Sequence, residues 1–198
     1  SAAGGAAGAV NDQPKAASKV RIFFVQIQRQ ALGEIVAEAR GADSLKEISS
    51  GVLPGADAKL KSLKPAWNVL EEPSLHSISL NTVISVNHEI HDDQLNQDLG
   101  LSLSVTPTAA DETQTQIVVR TNRTLREPQN AAGFLKEPFA QQFAIPRGGA
   151  AFISGTLLHR PLADAEKIMY AGIDVVRVMT TPEYASQATE FVIFVEPR

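Results

Sequence analysis

Between Leu75 and Ile90 the chain alternates. Ile78, Leu80, Ile84 and Val86 fall on one side of an extended segment, and Ser77, Ser79, Asn81, Ser85 and Asn87 fall on the other. A period of two places every second side chain on the same face, so this segment makes a strand with one packed face and one wet face. So long a strand is expected to bend. The pattern returns after the polar turn His91–Asp98, with Leu99, Leu101, Leu103 and Val105 leading to Pro107, and again over Gln116–Thr121. Two apolar runs flank Gly148-Gly149 within Phe143–Leu158, and Thr189–Pro197 is almost continuously apolar. Such a chain is committed to sheet.

The remaining segments fit around that commitment. Lys19–Ile27 is β-branched and aromatic on both faces, as a strand buried on two sides requires. From Arg29 to Arg40 the period changes: Leu32, Ile35, Val36 and Ala39 recur at helical spacing, with Gly41 as a stop. Asp43–Ser50 adds a helical turn with Leu45 and Ile48 on one side, Gly51–Gly55 reads as a loop, and Ala56–Lys64 as a short helix ended by Pro65. Ala109–Thr113 is a turn, and Asn122–Gln142, with Pro128, Gly133 and Pro138, is an irregular excursion. Asp164–Tyr170 reads as a helix and Ile173–Met179 as a strand. The fold class is α+β, dominated by sheet.

Composition narrows the function. At 198 residues the chain is long enough for one domain with a sizeable core. A net charge of −4 supplies no basic stripe, which argues against nucleic acid as a partner. With no cysteine there is neither a disulfide framework nor thiolate chemistry. No apolar run approaches the ~18 residues of a membrane-spanning helix. Residues 1–18 are rich in Ala and Gly and lack the basic start and apolar core of an intact signal peptide. They read as a flexible leader, either left from a processed export signal or serving as an interdomain linker, ahead of a domain over residues 19–198.

The residues that carry chemistry are scattered. In Asn87-His88-Glu89-Ile90-His91-Asp92-Asp93 the two histidines are three apart. On a strand that spacing puts His88 on the face opposite Glu89 and His91, so the imidazoles cannot share an ion. On a helix a metal site needs a spacing of four. A strand end running into a solvated turn is the plain reading. A metal-dependent hydrolase built on Glu89, His91 and a turn carboxylate is the alternative. His76 and His159 read as surface or hydrogen-bonded core histidines. Ser154-Gly155 lacks the preceding glycine of a nucleophile elbow, because position 152 is Phe. Arg147-Gly148-Gly149 reads as a tight hairpin turn before it reads as an anion cradle. Trp67 is expected to plug a helix-to-strand junction with its indole N–H bonded. Arg120, Arg123 and Arg126 read as a solvated loop face, and Asn122-Arg123-Thr124 is formally a glycosylation sequon. The expectation is therefore a protein that is not an enzyme, with no catalytic residue, no cofactor and no metal.

The order of the segments resembles the C-terminal homology domain of bacterial secretins, the outer-membrane ring channels of type II and type III secretion and of type IV pili. Val20–Ile27 resembles the opening strand of that domain. Trp67–Leu80 resembles its passage from helix to strand through a Pro before Leu. Gly100–Pro107 is similar to its Gly-x-x-Leu-x-Val-x-Pro signature, Ile145–Leu158 to its strand and Gly turn, and Glu190–Pro197 to its terminal strand. The resemblance spans most of Lys19 to Arg198. It implies a secretin-like mixed sheet with one to three short helices in the periplasm or outer membrane of a Gram-negative bacterium. It also implies a homo-oligomer or partners among other envelope-complex subunits, and peripheral association with the outer membrane. The chain departs from the family where the pore-wall strands would stand. There it carries a helical segment and a Gly/Pro loop, too short for the ~9–11-residue strands that a bilayer requires. Asn122–Gln142 stands where the family places its inner gate hairpin, and Ile173–Thr181 matches the proline-rich loop before the last strand poorly.

Overall fold

The computed structural model describes residues 15–39, 48–130 and 132–198. Among these, two antiparallel sheets pack face to face, and helices cover the far side of one of them. The first sheet is built on β1 (Lys19–Gln28) and β10 (Thr189–Pro197), which pair along their whole length from Val20 opposite Pro197 to Gln28 opposite Thr189. Beyond β10 lie β9 (Ala150–Ser154) and then β2 (Ser49–Leu53). On the other side of β1, β3 (Trp67–Val69) pairs with one half of the strand and β4 (Ser74–Ser77) with the other.

The doubly apolar pattern of β1 has a direct cause. Val20, Ile22 and Phe24 enter the core between the sheets. Phe23, Val25 and Ile27 enter a second core formed with Ala31, Leu32 and Ile35 of α1 (Arg29–Glu38) and with Ala56 and Leu60 of α2 (Ala56–Ser62). β10 divides in the same way, with Phe191, Ile193 and Val195 facing one core and Val192 and Phe194 facing the other. Phe23 stacks on Phe194 at 5.1 Å and Phe24 on Phe191 at 6.0 Å. Each such ring contributes about 1.5–3 kcal/mol by its burial.

The second sheet is a four-stranded meander of β5 (Ile84–Asp92), β6 (Gln97–Ala110), β7 (Gln114–Arg126) and β8 (Phe134–Pro146). Leu99, Leu101, Leu103 and Val105 of β6, Ile117 and Val119 of β7, and Phe143 and Ile145 of β8 join the core between the sheets. One end of the sandwich is closed by α3 (Asp164–Tyr170), a 3₁₀ turn at Val176–Thr180 and α4 (Pro182–Ala185), which bring Tyr170, Val176, Val178, Met179 and Tyr184 into the same core.

Several expectations are met: the strands at Lys19–Ile27 and Thr189–Pro197, and the helices near Arg29, Ala56 and Asp164. The bend in the Leu75–Ile90 strand is a change of sheet, since β4 belongs to the first sheet and β5 to the second. Other expectations are corrected. Every pairing among the described residues is antiparallel, so the sheets they form are not mixed. The described residues hold four short α-helices besides two 3₁₀ turns, more than one to three. Gly51–Leu53 belongs to β2 because it hydrogen-bonds with β9, a long-range pairing that local composition does not register. Gly41 and residues 43–47 of the expected helical turn lie outside the described residues, as does most of the leader. The supposed excursion over Asn122–Gln142 is the long hairpin of β7 and β8, with Pro128 at its turn and Pro138 on an edge strand that tolerates it. Ile173–Met179 is not a strand. It packs as irregular and 3₁₀ structure across the end of the sandwich. The glycine turn at Arg147–Gly149 is a corner and not a hairpin: Gly148 takes φ +77°, and the chain leaves the second sheet for the first.

Candidate functional site

The second sheet presents two features that the first lacks among the described residues: a wet outer face and long edge strands, 9 and 13 residues against the 5, 3 and 4 of β2, β3 and β4. Register defines the face. Ser85, Ser104, Arg120 and Ala140 stand in one row across β5 to β8, Asn87, Ser102, Asn122 and Pro138 in the next, and Glu89, Gly100, Thr124 and Lys136 in a third. β6 carries Ser104, Ser102 and Gly100, while Asn87 and Glu89 of β5 and Arg120 and Asn122 of β7 beside it are longer. A trough of about 780 Å³ therefore follows β6. Gly100 is obligatory there, because its φ is +135° and an added Cβ would stand 2.1 Å from the His88 carbonyl oxygen. Among the described residues the Arg120 guanidinium has no hydrogen-bond or ion-pair partner. Partial burial, with the Asp98 carboxylate nearby, pushes the Glu89 carboxyl above its ordinary range.

Proline fixes the direction of the margins. An edge-strand proline has no N–H to give, so its nitrogen faces away from the neighbouring strand. Pro138 and Pro146 have the same parity on β8, so the even-numbered residues of β8 turn their backbone groups outward and the odd-numbered residues turn theirs to β7. The Arg147 N–H, also odd, donates to the Thr113 carbonyl at 2.9 Å, in agreement. Carried across the ladders, the alternation leaves Ser85, Asn87, Glu89 and His91 outward on β5 and Ala140, Gln142 and Ala144 outward on β8. Among the described residues no strand pairs with either margin.

Apolar surface collects at the same two sides. Val69, Leu75, Leu80, Val83 and Ile90 are exposed along the β3–β4–β5 side, and Ile48, Phe134 and Leu135 along the side of β8 and the start of β2.

The histidines go where their parity sends them. His88 turns inward, its ring edge-on to Phe24 at 4.9 Å. Glu71 Oε1 lies 3.0 Å from its Nε2 without making a hydrogen bond. His91 lies on the outer face, where Nδ1 meets Asp98 Oδ1 at 2.8 Å and Asp93 stands 3.7 Å from Nε2. The hydrogen bond with Asp98 holds the His91 imidazole above its ordinary pKa. Among the described residues no three His, Asp or Glu side chains gather as a metal site would require. His76 meets Ser74 Oγ at 3.0 Å. Ser154 Oγ donates to the Ser49 carbonyl at 3.2 Å, and the Trp67 indole N–H donates to the Leu60 carbonyl at 2.9 Å, plugging the helix-to-strand junction.

Sequence reading missed a set of partly buried ion pairs. Glu190 meets Arg29 at 2.6 Å and His159 Nε2 at 2.7 Å, while His159 Nδ1 faces the Tyr184 carbonyl at 2.9 Å. The three arginines of β7 do not share a face. Arg120 is exposed, Arg123 is buried with Nη1 donating to the Thr156 carbonyl at 3.2 Å, and Arg126 pairs with Asp92. The available signal was a charge inside an apolar strand, as at Glu190 and Glu196, which is stable only when paired.

No family model matches the chain, and no curated protein matches it. Among solved structures it is similar to a chain in the cryo-EM structure of the ETEC pilotin–secretin complex AspS–GspD, with 15% identity over 92% of this chain and 47% of that one and a TM-score of 0.29. The chain thus spans about half the length of the solved chain it matches. Nothing about function follows from a likeness of that size.

Proposed function

We propose that this chain is a structural subunit of a bacterial cell-envelope secretion or pilus assembly, secretin-like in fold, which forms a ring or docks on one and is not an enzyme. Its place is the periplasm or outer membrane of a Gram-negative bacterium, among copies of itself or other envelope-complex subunits. The observation that carries this reading is the pair of long open margins on the second sheet. A margin of free N–H and C=O groups invites pairing with another chain, and proteins that do not use such margins shorten them, cover them or interrupt them with proline and charge, as Lys136 and Pro138 do on the first half of β8. Here β5 and β8 run for 9 and 13 residues, and exposed apolar side chains lie on both sides of the sandwich. The two sides differ from each other, so a contact between them is head-to-tail, and a head-to-tail contact gives a ring where the rotation between copies closes and a filament where it does not. The order of the secretin-like segments supports the same assembly. Among the described residues no helix is long and apolar enough to cross a membrane.

Light scattering of the purified protein, with negative-stain imaging alone and after incubation with envelope extract, tests this function. A symmetric ring or a ring-bound species is expected. A protein that stays monomeric and binds no ring overturns it in favour of a soluble periplasmic binding module that uses the polar trough.

A further inference from the structure

We infer that a positively charged cleft beside α2 on the first sheet is the docking site for an acidic amphipathic helix of a partner protein, with Trp67 lining it. The inference uses neither margin of the second sheet and stands whether or not copies of the chain form a ring.

The cleft follows from the alternation of β1. Its odd-numbered residues face α1 and α2, and Phe23, Val25 and Ile27 are buried there. Nearer the start of the strand the same parity presents Lys19, exposed, and Arg21, half-buried. Register sets Val69 beside Val25, Leu75 beside Arg21 and Ser77 beside Lys19 on this face. Val69 and Leu75 are 42% and 54% exposed, so among the described residues the helices leave this flank open. A cleft of about 190 Å³ lies there, with apolar walls of Phe23, Leu60, Trp67, Val69 and Pro73 and with Arg21, Asp57, Lys61 and Lys64 around it. The Trp67 indole N–H is already spent on the Leu60 carbonyl, so its ring offers the cleft only apolar surface.

Charge selects the occupant. Glu196 accepts from Arg21 Nε at 2.8 Å and from Arg198 Nη2 at 3.1 Å, and Asp57 accepts from Lys61 Nζ at 2.8 Å. The bond with Lys61, and behind it the charges of Arg198 and Arg21, hold the Asp57 carboxyl below its ordinary range, so these ion pairs share one field. Lys19 exchanges backbone hydrogen bonds with Arg198 at the edge of the flank. Among the described residues neither Lys19 nor Lys64 has an ion-pair partner. Five cations thus face two carboxylates, and with Glu72, exposed in the loop before Pro73, positive charge is still in excess in a chain of net charge −4. The cleft is smaller than the about 300–1,000 Å³ of small-molecule sites and has the scale of an anchor pocket for one large side chain. β3 and β4 are too short to accept an added strand, and the apolar groups line a concavity instead of projecting as a lipid-facing surface would. A helix laid in the groove, apolar face inward and carboxylates against the cations, satisfies both halves of the site.

Trp67 is the sole tryptophan of the chain, so its emission reads the cleft directly. The full chain is titrated with a synthetic peptide of about 14 residues, Asp and Glu with Leu and Phe at helical spacing and without Trp or Tyr. The expected result is a saturable blue shift of Trp67 emission that weakens as salt is raised. Affinity should fall about fivefold in Lys64→Glu and in Leu75→Ser and stay unchanged in Lys167→Glu on α3. All three positions are exposed, and unchanged urea midpoints show that the fold is kept. The inference is overturned by no shift with the acidic peptide or by full affinity in both cleft variants. It is equally overturned by the same shift from peptides with Lys for the acidic residues or Ala for the apolar ones. A shift from phosphatidylglycerol vesicles without one from the peptide overturns it in favour of a membrane face. A shift on concentrating the protein alone, lost in both cleft variants, overturns it in favour of a second copy. Light scattering on the same samples keeps the two readings apart: peptide binding by a monomer leaves this inference standing and removes the ring, and rings without a peptide response do the reverse.

Discussion

The two sheets share one core and solve opposite problems. The first is covered on both faces, by the second sheet on one side and by α1 and α2 on the other. Its margin at β1 is occupied by β3 and β4, of three and four residues, with Pro73 between them. Short, interrupted edge strands do not invite a neighbouring strand. The second sheet has one wet face and ends in long strands on both sides. Stability is concentrated in the first sheet and the capacity for pairing between copies in the second.

Substitutions should therefore separate along this line. The largest effect is expected in the double core: Phe194→Ala removes a fully buried ring that stacks on Phe23 and should cost about 3–5 kcal/mol in urea unfolding, with loss of assembly only as a consequence. Gly100→Ala comes next, since it forces a Cβ into the β5 backbone at positive φ, and should destabilise by about 3 kcal/mol. Asn87→Pro sharpens the contrast. It deletes an outward donor while sparing the β5–β6 bonds, so the fold is expected to survive and multimers to vanish. Val86→Pro, one residue away and facing β6, should unfold the sheet. A reversal of those two outcomes would break the assignment of the margins.

The smallest effect is expected at His91. Its folded pKa is raised by Asp98, so the interaction is fully present below the ordinary histidine range and is lost as pH rises through the raised value. Histidine titration by NMR should show His91 above its free value and Asp98→Asn returning it towards normal. An unchanged titration in that variant would remove Asp98 as the cause.

Much of this architecture was legible because its strands alternate strictly. The Ser/Asn and Leu/Val faces of β5 and β6 were readable from spacing alone, as was the division of β1 between two cores. What could not be read depends on distant partners. Gly51–Leu53 has loop chemistry and becomes a strand only because β9 lies beside it. Pro128, Gly133 and Pro138 suggest an irregular excursion, yet β7 holds Phe134–Pro146 in register. Val176–Thr180 has strand composition but is consumed in closing the sandwich end. The candidate site was legible as a polar face and illegible as a margin, since neither strand order nor the outward parity of β8 is present in local pattern.

Residue-resolved amide exchange at assembling and at high dilution tests the central claim most directly. Ser85, Asn87, Glu89, Ala140, Gln142 and Ala144 are expected to exchange freely when dilute and to become protected together as copies associate, while β1 and β10 stay protected throughout. Protection of those six amides in the isolated chain would contradict the account.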